Sequence, residues 1–219
     1  MVLEKMKNSK KIHFFPLVFL SFILILSLTL FPSFSAQPVK FTEEEKQILE
    51  EGKLLKKPVN PNQSSGYRGG KSYILIEDDI EVCYRAMTDL KNYYYFYDDT
   101  LIEASILKKE QNKMLIKMVY GKGPIKTKYH AWYTMLPGQH TIKYKVEPNL
   151  QNDLRDGYGY LKFSKYDDKR VLMTNVVMVD FSDNILWKLL GNKITTGMMR
   201  LPEYLKRFLK TPESKKYRK

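Results

Sequence analysis

The chain of 219 residues is poor in the side chains that most often announce chemistry. It has one cysteine, Cys83, so no internal disulfide can form and the fold must rest on its apolar core. It has three histidines, His13, His130 and His140. None stands at metal-ligand spacing from a Cys, an Asp or another His, which argues against a metal site. No nucleophile elbow or Ser-His-Asp set is legible. Gly66, Gly69 and Gly70 fall in a glycine-bearing stretch, but no strand is read before it and no Lys-Ser/Thr pair opens a helix after it, so a phosphate-cradling loop is rejected. The acidic pairs Asp78-Asp79, Asp98-Asp99 and Asp167-Asp168 sit at element ends or turns, where capping accounts for them better than catalysis. Nothing here calls for a cofactor, and no nucleic-acid reader motif is present.

What the chain has is apolar and aromatic mass, and positive charge. Hydrophobic residues make up 43%, with 16 Tyr and 11 Phe, which suits one folded domain with a sizeable core. Net charge is +13. The first 36 residues carry four lysines and one glutamate, leaving +10 for the rest and favouring anionic partners. In that leader a basic segment (Lys5 to Lys11) precedes an apolar run from Phe14 to Phe31, then the small residues Ser33, Ser35 and Ala36. This is the form of an export signal, at a length that also suits an uncleaved membrane anchor. Both readings place the folded part outside the cytoplasm, periplasmic or secreted.

Past the leader, residues 37–70 read as a short helical leader and linker. Thr42-x-x-Glu45 has the form of a capping box opening a helix over 43–55, and 56–70 reads as a loop over the surface. A strand over 72–77 meets Asp78 and Asp79, either of which can cap the helix expected over 80–90. There Cys83, Ala86, Met87 and Leu90 share one apolar face, with Cys83 read as a packing residue. An aromatic corner, 93–97, follows. Strands are then expected over 101–108, 113–120, 125–135, 141–146, 158–166 and 170–180, mostly joined by links short enough to demand antiparallel neighbours. Their alternation puts Met114, Ile116, Met118, Tyr129, Tyr133, Ile142 and Tyr144 on one face, and Lys117, Lys126, Lys128, Lys143 and Lys145 on the other. Residues 184–210 read as a long C-terminal helix, broadly apolar along one side and interrupted at Gly191, Gly197 and Pro202. Residues 211–219 read as a mobile basic tail.

The stretch SYILIEDDIEVCYRAMTDLKNYYYF, with Thr88-Asp89-Leu90 before an aromatic corner, resembles the START-like or SRPBCC superfamily of helix-grip domains. That superfamily includes polyketide cyclase/dehydrase and lipid-transport domains, and the resemblance spans 41–210. It implies an α+β helix-grip fold over 71–210, a curved antiparallel sheet of about seven strands wrapped on the long C-terminal helix. It also implies a cavity between sheet and helix. The wall expected there is Met114, Ile116, Met118, Tyr129, Tyr133, Ile142, Tyr144 and Asn175 from the sheet, with Leu190, Ile194, Met198 and Met199 from the helix. Tyr129, Tyr133, Tyr144 and Asn175 would supply polar contacts, and the register of Asn175 is ambiguous because its strand is apolar on both sides. The expected partner is a hydrophobic small molecule or lipid, with lipid transfer as the activity. A cyclase- or hydrolase-type enzyme using the pocket tyrosines, and a protein-interaction module with a filled core, are the alternatives; the missing catalytic motif weighs against the enzyme. The lysine face, with Lys206, Arg207 and Lys210 at the helix end, is expected to dock on an anionic membrane surface.

Overall fold

The computed structural model describes residues 39–58, 66–97, 100–122, 125–181 and 196–218. The leader, the segment 182–195 with Leu190, Ile194 and Gly191, and the pair Asp98-Asp99 lie outside the described residues.

Helix α1 (Glu43–Glu50) opens on the expected capping box: Glu45 N–H donates to Thr42 Oγ1 at 3.2 Å, and Thr42 N–H to Glu45 Oε2 at 3.0 Å. It ends earlier than the sequence suggests. Gly52 takes the left-handed conformation (φ 70°), its N–H donates to Leu49 O and the Lys53 N–H to Ile48 O, a glycine stop that satisfies the last carbonyls. The chain then enters strand β1 (Leu55–Pro58), and β2 (Tyr67–Ile76) begins five residues before the expected strand. Much of the expected loop is therefore sheet. Glycine hides this from a propensity reading. A Cβ on Gly69 would lie 1.8 Å from Val177 O, so this strand passes too close to its neighbour for any side chain there.

Helix α2 (Ile80–Thr88) starts at Asp79, whose Oδ1 accepts the Glu81 N–H at 2.7 Å. Val82, Cys83, Tyr84, Ala86 and Met87 are buried on it. A 3-10 turn (Leu90–Asn92) and helix α3 (Tyr93–Phe96) form the aromatic corner. Strands β3 (Leu101–Lys109), β4 (Lys113–Lys122), β5 (Ile125–Leu136), β6 (Thr141–Val146), β7 (Asp156–Lys165) and β8 (Val171–Asp180) follow as an antiparallel meander. The sheet has eight strands in the order β1-β2-β8-β7-β6-β5-β4-β3, one more than expected because of β1. The long link after β6 zips onto β5: Asp153 N–H donates to Lys128 O, Glu147 N–H to His130 O, and Asn152 Oδ1 accepts the His130 N–H. His130 is thereby buried as a packing residue.

Period-two alternation assigns the faces. The concave face carries Ile74, Ile76, Ile116, Met118, Tyr129, Ala131, Tyr133, Ile142, Leu161, Phe163, Met173 and Val177. These join α2, α3 and the C-terminal helix α4 (Leu201–Phe208) in the main core. Part of the convex face is covered by α1, where Leu49, Leu55, Tyr73, Leu75 and Leu172 make a smaller core.

The tail is packed, contrary to the expectation of mobility. A 3-10 segment (Pro212–Tyr217) lays Tyr217, 8% exposed, against the corner. The Tyr217 hydroxyl donates to Asp89 Oδ2 at 2.6 Å and accepts from Asn92 Nδ2 at 2.7 Å, while Lys216 Nζ reaches Asp89 at 3.0 Å. The Thr-Asp motif thus anchors the end of the chain, a long-range partnership that no local pattern signals.

Candidate functional site

Three strands and the corner converge on a cluster of tyrosines on the concave face. Tyr120 on β4, Tyr129 and Tyr133 on β5 and Tyr144 on β6 share that face because each keeps the parity of the apolar positions around it. The corner adds Tyr93 and Tyr97, four residues apart on one side of a helical turn. Ring centroids lie 5.0 Å apart for Tyr97 and Tyr120, 5.9 Å for Tyr120 and Tyr129, 5.6 Å for Tyr133 and Tyr144, and 6.4 Å for Tyr93 and Tyr133. The phenols of Tyr97, Tyr120, Tyr129 and Tyr133 follow one another in that order as close neighbours whose charges would repel.

Tyr144 reaches the other way. Its hydroxyl donates to Val176 O at 2.9 Å, passing over Gly159, where a Cβ would lie 2.4 Å from that hydroxyl. Glycine at 159 is the condition for this contact.

Burial pushes all six phenols up, that of Tyr133 to about 12, so all are neutral at pH 7. They are hydrogen-bond donors and acceptors, and the ionised base a proton abstraction needs is costly to form on them. Tyr93, Tyr129 and Tyr133 are buried, whereas Tyr97, Tyr120 and Tyr144 are only half-buried. A phenol that is strongly desolvated yet keeps open surface stands at the edge of the core, and its neighbours here are aromatic and aliphatic with a few hydroxyls.

The expected wall residues are largely brought together. Ile116, Met118, Tyr129, Tyr133, Ile142 and Met199 lie in the main core, with Met114, Tyr144 and Met198 packed at its edge. Asn175 falls on the concave side, since it alternates with Met173 and Val177. Its amide nitrogen donates to Met198 O at 3.1 Å and to Ser72 Oγ at 3.2 Å, fastening the start of the described C-terminal helical segment to β8 and β2. Tyr93, Tyr97 and Tyr120 were not among the expected wall residues. For Tyr120 the signal was available, because it continues the run Met114, Ile116, Met118. For the corner it lay in the four-residue spacing of Tyr93 and Tyr97.

The lysines expected to face a membrane are spread over several roles. Lys117 pairs with Glu103 at 2.7 Å and Lys145 with Asp156 at 2.9 Å, while Lys128 Nζ lies 3.5 Å from Gln151. Lys126 and Lys143 are exposed on the convex side, and Lys210 is exposed after α4. Lys206 Nζ donates to Gly52 O at 2.9 Å, and Arg207 lies over the Tyr204 ring at 5.2 Å. The Cys83 thiol, fully buried, is pushed up to about 12 by desolvation and is inert packing.

With the geometry in place, the architecture can be set beside known structures. It is similar to the STAR-related lipid transfer protein of Xanthomonas axonopodis, with a TM-score of 0.60 at 13% identity, over 79% of this chain and 97% of that one. It is similar to the Zhui aromatase/cyclase of Streptomyces sp. R1128, with a TM-score of 0.52 at 10% identity, over 65% of this chain and 96% of that one. A START superfamily protein of Mycobacterium smegmatis matches with a TM-score of 0.50 at 10% identity, over 64% and 97%. The fold is the helix-grip fold, an antiparallel sheet with a C-terminal helix. No protein-family model matches the chain, and no curated protein sequence matches it. At these identities the likeness concerns the START-like backbone, and the residues of the site must speak for its chemistry.

Proposed function

We propose that this chain is an exported START-like domain that holds a hydrophobic small molecule or lipid between the concave face of its sheet and its C-terminal helix. The observation that carries the reading is the tyrosine cluster: six neutral phenols, three with open surface, set among Met114, Ile116, Met118 and Ile142. A dry core gains nothing from so many hydroxyls, each of which needs a partner once buried. A recess that orients a mostly apolar ligand with one polar end does use them. Methionines at 114, 118, 198 and 199 add a surface that adapts to irregular shapes. The naming of a lipid transfer protein among the structural neighbours supports the same class of ligand. Export rests on the basic and apolar leader.

The reading is tested by native mass spectrometry and solvent extraction of the purified protein. The expected result is a co-purifying apolar molecule whose occupancy falls several-fold in the Tyr129→Phe/Tyr133→Phe double variant, at unchanged fold by circular dichroism. A protein that carries no such molecule, and takes up none from mixed lipids, would contradict it.

A further inference from the structure

The convex face holds a feature that the interior reading leaves unused. Strand pairing lines up two neighbouring rungs that run across the sheet, perpendicular to the strands. One reads Lys108, Leu115, Trp132, Lys145, Tyr158, Met178 and Gly69 from β3 to β2. The next reads Lys113, Thr134, Lys143, Tyr160, Val176 and Lys71 from β4 to β2. Between the rungs lies a groove lined by Trp132, Thr134, Lys143, Lys145, Tyr158 and Tyr160, with a volume of about 330 Å³ and Val176 in its floor.

We infer that this groove is a binding track for a linear anionic polysaccharide. At a strand spacing of about 4.8 Å, the lined stretch from β5 to β8 is about 14 Å long, with Lys113 and Lys71 on the strands beyond its two ends, the dimensions of a short run of a single extended chain. A cation stands over each ring: Lys108 Nζ is 5.7 Å from the Trp132 ring centroid, and Lys145 Nζ 5.6 Å from that of Tyr158. Tyr158 is 41% exposed, a large aromatic in water on the part of this face outside the small core under α1.

The charge is only partly compensated, with Glu110 on Lys108 at 3.0 Å. Asp156 takes Lys145 and the Tyr67 hydroxyl, and Glu147 takes the Trp132 indole N–H at 2.8 Å. Among the described residues no carboxylate pairs with Lys71, Lys113 or Lys143. Aromatic surface for the apolar faces of a chain of rings, with cations beside it for the anions, is the same division of labour that basic aromatic grooves use on single-stranded polyanions. The recessed floor decides between a polymer and a bilayer. Val176 and Met178, each 8% exposed, can be reached by one chain lying in the track, whereas a headgroup plane would rest on the lysine tips.

Titration calorimetry of the purified protein with hexagalacturonate tests it, with maltohexaose as the neutral control. Hexagalacturonate is expected to bind at least tenfold more tightly than maltohexaose, and more weakly as salt is raised. Trp132→Ala and Lys143→Gln are each expected to weaken it about tenfold. Because Lys143 is solvent-exposed, Lys143→Gln keeps the test valid if Trp132→Ala perturbs folding. No hexagalacturonate binding, or binding indifferent to both substitutions, would overturn the inference. Tighter binding of phosphatidylglycerol vesicles or of oligothymidylate through the same residues would overturn it equally.

Discussion

The two faces of this sheet use the same residue type for different ends. On the concave side Tyr97, Tyr120, Tyr129 and Tyr133 cluster together, and burial keeps them protonated. On the convex side the Tyr67 hydroxyl donates to Asp156 at 2.5 Å, which with partial burial pushes its pKa up to about 12, and Tyr158 lies under the Lys145 ammonium. On this sheet the concave tyrosines have other phenols for neighbours, and the convex ones a carboxylate or a cation. The difference follows from strand parity alone, since a one-residue slip would exchange the two sets.

The largest effect that can break this comparison is in the concave core. Phe96, fully buried against Phe208, should cost about 3–5 kcal/mol when changed to Ala, while Lys143→Gln on the convex face should cost about 0.5 kcal/mol or less. Urea denaturation of the two variants reads both values, and equal losses would mean that the faces are not distinct. A smaller loss is expected where the faces nearly touch. Gly159→Val would put a Cβ 2.0 Å from Val176 O and 2.4 Å from the Tyr144 hydroxyl, and the forced shift should cost about 1–3 kcal/mol. Tyr144→Phe in the same background should recover little, because the clash with the backbone carbonyl remains.

The smallest effect concerns the tail. Burial pushes the Asp89 carboxyl up, but the Tyr217 hydroxyl, the Lys216 ammonium and the Lys91 N–H outweigh it, so the folded pKa lies below the usual value. A depressed acid contributes stability that is present above its unfolded pKa of about 3.9 and is lost as pH falls through the folded one. Melting temperature should therefore decline below about pH 4, and Asp89→Asn should flatten that decline while costing about 1 kcal/mol at pH 7. A variant with the parent's pH profile would show that Asp89 does not hold the tail.

How far the sequence carries depends on the range of the interaction. The caps at Thr42 and Asp79 were legible because the partners stand two or three residues apart. Strands β3 to β8 were legible because alternation is local, and so was most of the concave wall. Strand β1 and the first half of β2 were not, because Pro58, Gly69 and Gly70 read as loop while the ladder to β8 is set by residues more than 100 positions away. The tail was hidden for the same reason: Tyr217 finds Asp89 and Asn92 only in three dimensions. The role of Asn175 required the register, which a strand apolar on both sides does not reveal.

The most direct test of the central claim is hydroxyl-radical footprinting of tyrosines by mass spectrometry, comparing delipidated protein with protein loaded with oleate. Loading should protect Tyr97, Tyr120 and Tyr144 and leave Tyr158 unchanged. Protection confined to Tyr158 and Tyr160, or no change at any tyrosine while oleate is bound, would contradict it.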